Sequence, residues 1–131
     1  MLTTIRTVRA IAAVAAFSAI TAAATPVARF HTKLVKSSPA AHDTLAASPK
    51  SISLWFNEKV ELPMTTVKLS AAGADVALGA VTRDEKTADA PLVAAIAKPL
   101  VDGAYVISYT VAGKDGHPTK GTIEFVVKSK R

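Results

Sequence analysis

Between residues 51 and 56 the chain alternates polar and apolar side chains as Ser51-Ile52-Ser53-Leu54-Trp55-Phe56, and the pattern breaks at Asn57. A period of two marks a strand with one buried face. Val67-Lys68-Leu69-Ser70 repeats the pattern ahead of a turn at Gly73. Two later runs, Tyr105 to Val111 and Thr122 to Val127, are rich in β-branched and aromatic residues and bracket the turn-prone segment from Gly113 to Gly121. They predict a terminal hairpin. Asp75 to Val81 and Pro91 to Ala97 are further candidate strands, weakened by their many alanines. No segment beyond the N-terminal region supports a helix. About seven short strands with turn signals every 8–12 residues predict an all-β fold, an immunoglobulin-like Greek-key β-sandwich, with a small barrel as the alternative. Trp55, the only tryptophan, lies on the most regular strand and is expected at the centre of the core.

The N-terminal residues follow a different pattern. Arg6 and Arg9 precede an apolar run from Ile11 to Ala24 that closes in small residues, which reads as a secretion signal. Ala22-Ala23-Ala24 is the best small-x-small cleavage site, so residues 1–24 are the expected leader, with residue 30 as an alternative end. The fourteen-residue run falls short of the roughly 20 residues that a membrane-crossing helix needs. The expected product is exported, with residues 31–131 forming a single β-sandwich domain.

Composition narrows the chemistry. The chain has no cysteine, which excludes disulfides, zinc fingers, iron–sulfur clusters and thiolate traps for Cu(I). The formal net charge of +6 falls to +4 once Arg6 and Arg9 leave with the leader. The remaining cations are scattered, apart from the Lys128-Ser129-Lys130-Arg131 tail, and no aromatic residues are interleaved with them. A nucleic-acid site is not expected.

Two separated segments carry the candidate chemistry: His31, which follows the leader, and Asp115-Gly116-His117-Pro118 near the end of the chain. On extended or turning backbone, side chains two residues apart share a face, so Asp115 and His117 can converge on one ion. Gly116 allows the bend between them and Pro118 stiffens its exit. Two imidazoles and a carboxylate form a nitrogen and oxygen donor set suited to Cu(II). If the mature chain began at His31, its amine could join the ring nitrogen in chelation after losing a proton from a group with a pKa of about 8. Cleavage after Ala24 would instead leave only the ring. Alone, the Asp-Gly-His-Pro segment also reads as a surface turn in which Asp115 caps the backbone, and His31 as part of a flexible arm.

Four motifs stand in order: His31-Thr-Lys-Leu-Val-Lys-Ser-Ser-Pro-Ala40, Leu54-Trp-Phe-Asn-Glu-Lys-Val60, Pro99-Leu-Val-Asp-Gly-Ala-Tyr105 and Asp115-Gly-His-Pro-Thr-Lys-Gly121. In order and spacing they resemble the CopC family of periplasmic copper-resistance proteins, over nearly the whole mature chain. The resemblance implies a β-sandwich that binds one Cu(II) ion through His31, Asp115 and His117. It implies a periplasmic role in copper tolerance or delivery, without catalysis. Glu58, in the second motif, is a candidate for a weak extra oxygen ligand or an outer hydrogen bond. His42, in a loop where the family more often has small or acidic residues, is a weaker candidate and reads more simply as solvent-exposed. Some members carry a methionine-rich loop for Cu(I). Here only Met64 follows the leader, so that site is expected to be absent and Met64 reads as packing. A monomer is expected, with an inner-membrane copper importer of the CopD type as a candidate partner. The alternatives are a metal-free docking module for such a transporter and, more remotely, a copper mono-oxygenase.

Overall fold

Strands form wherever the period-two pattern is clearest. The computed structural model describes residues 31–130, and the expected leader lies outside them. Eight strands follow in order: β1 Leu34–Ser38, β2 Thr44–Leu45, β3 Ser51–Phe56, β4 Thr66–Ala71, β5 Ala74–Val76, β6 Leu92–Ala95, β7 Gly103–Ala112 and β8 Pro118–Val127. β3 has the bounds that its alternation predicts. β7 and β8 form the expected hairpin, but pairing runs from Gly103 opposite Val127 to Ala112 opposite Pro118 and compresses the turn to residues 113–117. The alanine-rich candidates are shorter than expected, and from residues 77 to 81 only Leu78 adds a bridge, to Ile96. β1 has no regular alternation; its pairing with β3 and a register shift between Leu34 and Lys36 define it instead. Among the described residues the sole helical element is the 3-10 turn Leu62–Met64.

The strands form two sheets, β1-β3-β6 and β2-β8-β7-β4-β5. All neighbours are antiparallel except β2 and β8. The chain crosses to the second sheet at β2, returns at β3, passes to β4 and β5, returns at β6 and crosses again to β7, giving a sandwich. Its core joins Ile52, Leu54 and Leu92 of the first sheet to Leu69, Ile107 and Phe125 of the second. The Tyr105 and Phe125 rings stack with centroids 5.4 Å apart, and the Tyr105 hydroxyl donates to the Val101 carbonyl at 2.6 Å. This bond to backbone four residues upstream is the tyrosine corner of immunoglobulin-like sandwiches.

Two expectations about single residues are corrected. With Ile52 and Leu54 buried, the period of two turns Trp55 to the outer face of β3. There the Lys36 ammonium sits 4.6 Å from the ring centroid, a cation–π contact across the β1–β3 pair. Met64 lies on the 3-10 turn and is 47% exposed, so it does not pack in the core.

Leu54→Ala is expected to cost about 2–5 kcal/mol, because it opens a cavity between the sheets. Trp55→Ala should cost only about 1 kcal/mol, the scale of a partly exposed cation–π contact. Urea unfolding of the two variants measures both, and the reverse ranking would contradict the outward placement of Trp55. Tyr105→Phe removes the corner bond without opening a cavity and is expected to lower stability by about 1 kcal/mol in the same assay.

Candidate metal centre

The arm that carries His31 is tied to the residues that leave β3. Asn57 makes three bonds to it: its Oδ1 accepts from the Lys33 amide at 2.8 Å, its Nδ2 donates to the His31 carbonyl at 3.1 Å, and its backbone N–H donates to the Lys33 carbonyl at 2.9 Å. Between them Thr32 turns inward, only 5% exposed, and donates its hydroxyl to Glu58 Oε1. Lys59, the next residue, pairs with Glu85 at 2.8 Å. Bonds from Lys59 and then Arg83 hold the Glu85 carboxyl below its ordinary range. Thr32 is thus the hydrogen-bond donor that meets Glu58.

The second element is the compressed hairpin turn. The Gly116 amide donates to the Gly113 carbonyl at 3.0 Å, and the His117 amide donates to Asp115 Oδ1 at 3.1 Å. Asp115 thereby shapes the turn through one carboxylate oxygen. Gly116 has φ 74°, a left-handed conformation that favours glycine. The turn meets the arm at Gly113, where a Cβ would fall 2.5 Å from Glu58 Oε1 and 3.2 Å from Thr32 Oγ1. With no side chain there, the Thr32–Glu58 pair packs directly on the backbone. Arm and turn therefore share one end of the sandwich.

His31, Asp115 and His117 are all exposed at that end. Their side chains are not closed around a common point: among the described residues, no three His, Asp or Glu side chains form a group that could hold an ion. The donor types fit copper, and the backbone brings the two segments together, but ligation requires the side chains to rotate inward. Glu58 is half-buried and engaged with Thr32. His42 is elsewhere. It adopts φ 64° between β1 and β2, and its amide donates to the Glu124 carbonyl at 2.7 Å. Glu124 lies seven residues beyond His117 along β8, a separation of roughly 20 Å at the rise of a strand.

Sequence reasoning missed Asn57, Thr32 and Gly113. Asn57 was visible only as the residue that ends the alternation, and Gly113 only as a turn residue. Their partners are 24 to 81 positions away in the chain, and local pattern does not reach that far.

Comparison with known proteins places this geometry in a family. The CopC domain matches residues 34–128, a span that contains Asp115 and His117 and begins three residues after His31. Copper resistance protein C of Xanthomonas campestris pv. juglandis is 36% identical over 113 residues, covering 75% of this chain and 80% of the relative. The crystal structure of CopC from Methylosinus trichosporium OB3b superposes with a TM-score of 0.68 at 30% identity, covering 77% of this chain and 97% of the other. That of PcoC, a methionine-rich copper resistance protein from Escherichia coli, gives 0.66 at 29% identity, covering 75% and 99%. The chain belongs to the CopC family, whose members are periplasmic copper-resistance proteins and carriers of copper rather than enzymes.

Proposed function

We propose that this chain is exported to the periplasm and there binds one Cu(II) ion through His31, Asp115 and His117, to sequester it or hand it on. The observation that carries this reading is the contact of Thr32 and Glu58 with Gly113, which sets the His31 arm beside the Asp115–His117 turn. Asp115 uses one oxygen on the His117 amide and keeps the other for an ion. Both imidazoles are exposed and free to turn. Immobilising each side chain costs about 0.5–1.5 kcal/mol, small beside the roughly 12 kcal/mol of nanomolar binding. The open arrangement is therefore compatible with tight binding.

The amine of His31 joins the set only where the mature chain begins at that residue. With Thr25 first, the ring binds alone. Met64 is the only methionine after residue 24, and soft Cu(I) needs several thioethers, so Cu(II) is the ion assigned. Each imidazole must be neutral and the carboxyl ionised to ligate, so protons compete with copper.

Native mass spectrometry of untagged protein from the secreted fraction, mixed with one equivalent of Cu(II) and a modest chelator, should show one retained copper. Retention should vanish in His117→Ala and persist in His42→Ala. Copper-free wild-type protein, or equal retention in His117→Ala, would overturn the assignment. Chelator competition across a pH series should show affinity falling as pH falls, because each ligand protonated in the free protein must release its proton to the solvent on binding. A flat profile would exclude imidazole ligation.

A further inference from the structure

We propose that Asn57 is a positioning residue for His31, acting with the Thr32–Glu58 bond as a clamp that orders the arm before any metal binds. The inference rests on the copper reading for its consequence, but the ordering itself is a property of the metal-free protein.

The β1–β3 ladder ends with Leu34 opposite Phe56. Beyond that pair the arm has no strand partner, and such ends are poorly ordered unless tied down. Asn57 supplies the tie. Its planar side-chain amide presents a carbonyl acceptor beside an NH2 donor group, so it can pair with backbone much as a peptide unit does. It spends them on the Lys33 amide and the His31 carbonyl, while its own N–H takes the Lys33 carbonyl. The amide thus continues the ladder past the end of the strand. Thr32 alternates to the opposite side and locks to Glu58 over Gly113.

None of these bonds uses the amino group of His31. The clamp holds the arm in the same place whether the chain begins at Thr25 or at His31, and in both cases it limits the imidazole to a small region beside the turn. Glu58, held by Thr32, is in turn occupied away from the ion. Hydrogen-bond partners behind metal ligands typically govern affinity by 10–100-fold.

Hydrogen exchange and copper competition on the full mature protein test this together. In metal-free Asn57→Ala, the Lys33 amide should exchange roughly tenfold faster, the scale of one lost hydrogen bond. The Ile107 and Phe125 amides in the paired β7–β8 core should be unchanged, which shows that the fold is intact. Cu(II) affinity should fall by roughly tenfold or more, and the paramagnetic resonance spectrum should show altered nitrogen coupling. Thr32→Val should weaken binding in the same direction and Thr32→Ser should restore it. Wild-type copper retention with undiminished affinity in Asn57→Ala would overturn the clamp alone. Unchanged Lys33 exchange in Asn57→Ala would do the same without reference to metal. Wild-type protein that retains no copper would overturn the copper reading, and the positioning role with it, even if exchange rose as expected.

Discussion

A hydroxyl donating to a carboxyl group over a residue with no side chain holds this molecule's two candidate ligand segments together. Thr32, Glu58 and Gly113 come from the arm, the end of β3 and the end of β7, elements that belong to both sheets. The donor is a threonine that is almost fully buried, so little water competes for the bond. A side chain at residue 113 would separate the pair or push the hairpin turn aside. The hairpin itself is rigid, paired across ten positions on each strand and anchored by Phe125 in the core. Rigidity in β7 and β8 is thereby passed to a turn that carries a carboxylate and an imidazole, and through Glu58 to the arm that carries the other imidazole.

Local pattern made the sheets legible and left the joints between them obscure. Ser51–Phe56 alternates because one face of β3 meets the core and the other meets solvent, so a period of two is written into the residues themselves. β1 has no such signature, because its conformation comes from pairing with β3 across a bulge. The misplacement of Trp55 has a single cause. Size and hydrophobicity argued for the centre of the core, while parity with Ile52 and Leu54 argued for the outer face, and strand geometry permits no compromise between them. Lys36 covers the half-buried ring, and this cross-strand partner was invisible without the register.

The candidate ligands show the same division. The Asp115-Gly116-His117 turn was readable because its members are two residues apart, and its Asx geometry follows from that spacing. The association of that turn with His31 came from a resemblance of motifs and not from any rule of spacing. The bonds of Asn57 and Thr32 and the close approach at Gly113 bring the two together, and none of these residues carries metal chemistry of its own. Residues that position ligands lack the titratable or nucleophilic side chains that sequence reading looks for. His42 shows the converse, an imidazole of the right type whose amide is committed to the middle of β8.

The open arrangement of the candidate donors suits the proposed role of a carrier. A buried, preformed cage would bind tightly and would also hinder any acceptor from reaching the ion. Here the backbone of each segment is fixed by hydrogen bonds while the imidazoles remain at the surface, so most of the ordering is complete in the metal-free protein. Only side-chain rotation is left to occur on binding, at about 0.5–1.5 kcal/mol per group. Under the proposed reading, the same exposure would let a recipient's donors approach an ion still held by one segment. Arm and turn meet at Gly113, where the Thr32–Glu58 pair packs on the hairpin backbone. Under the proposed reading, a site whose donors come from two segments of the chain suits stepwise transfer, because the barrier to release is split into smaller parts.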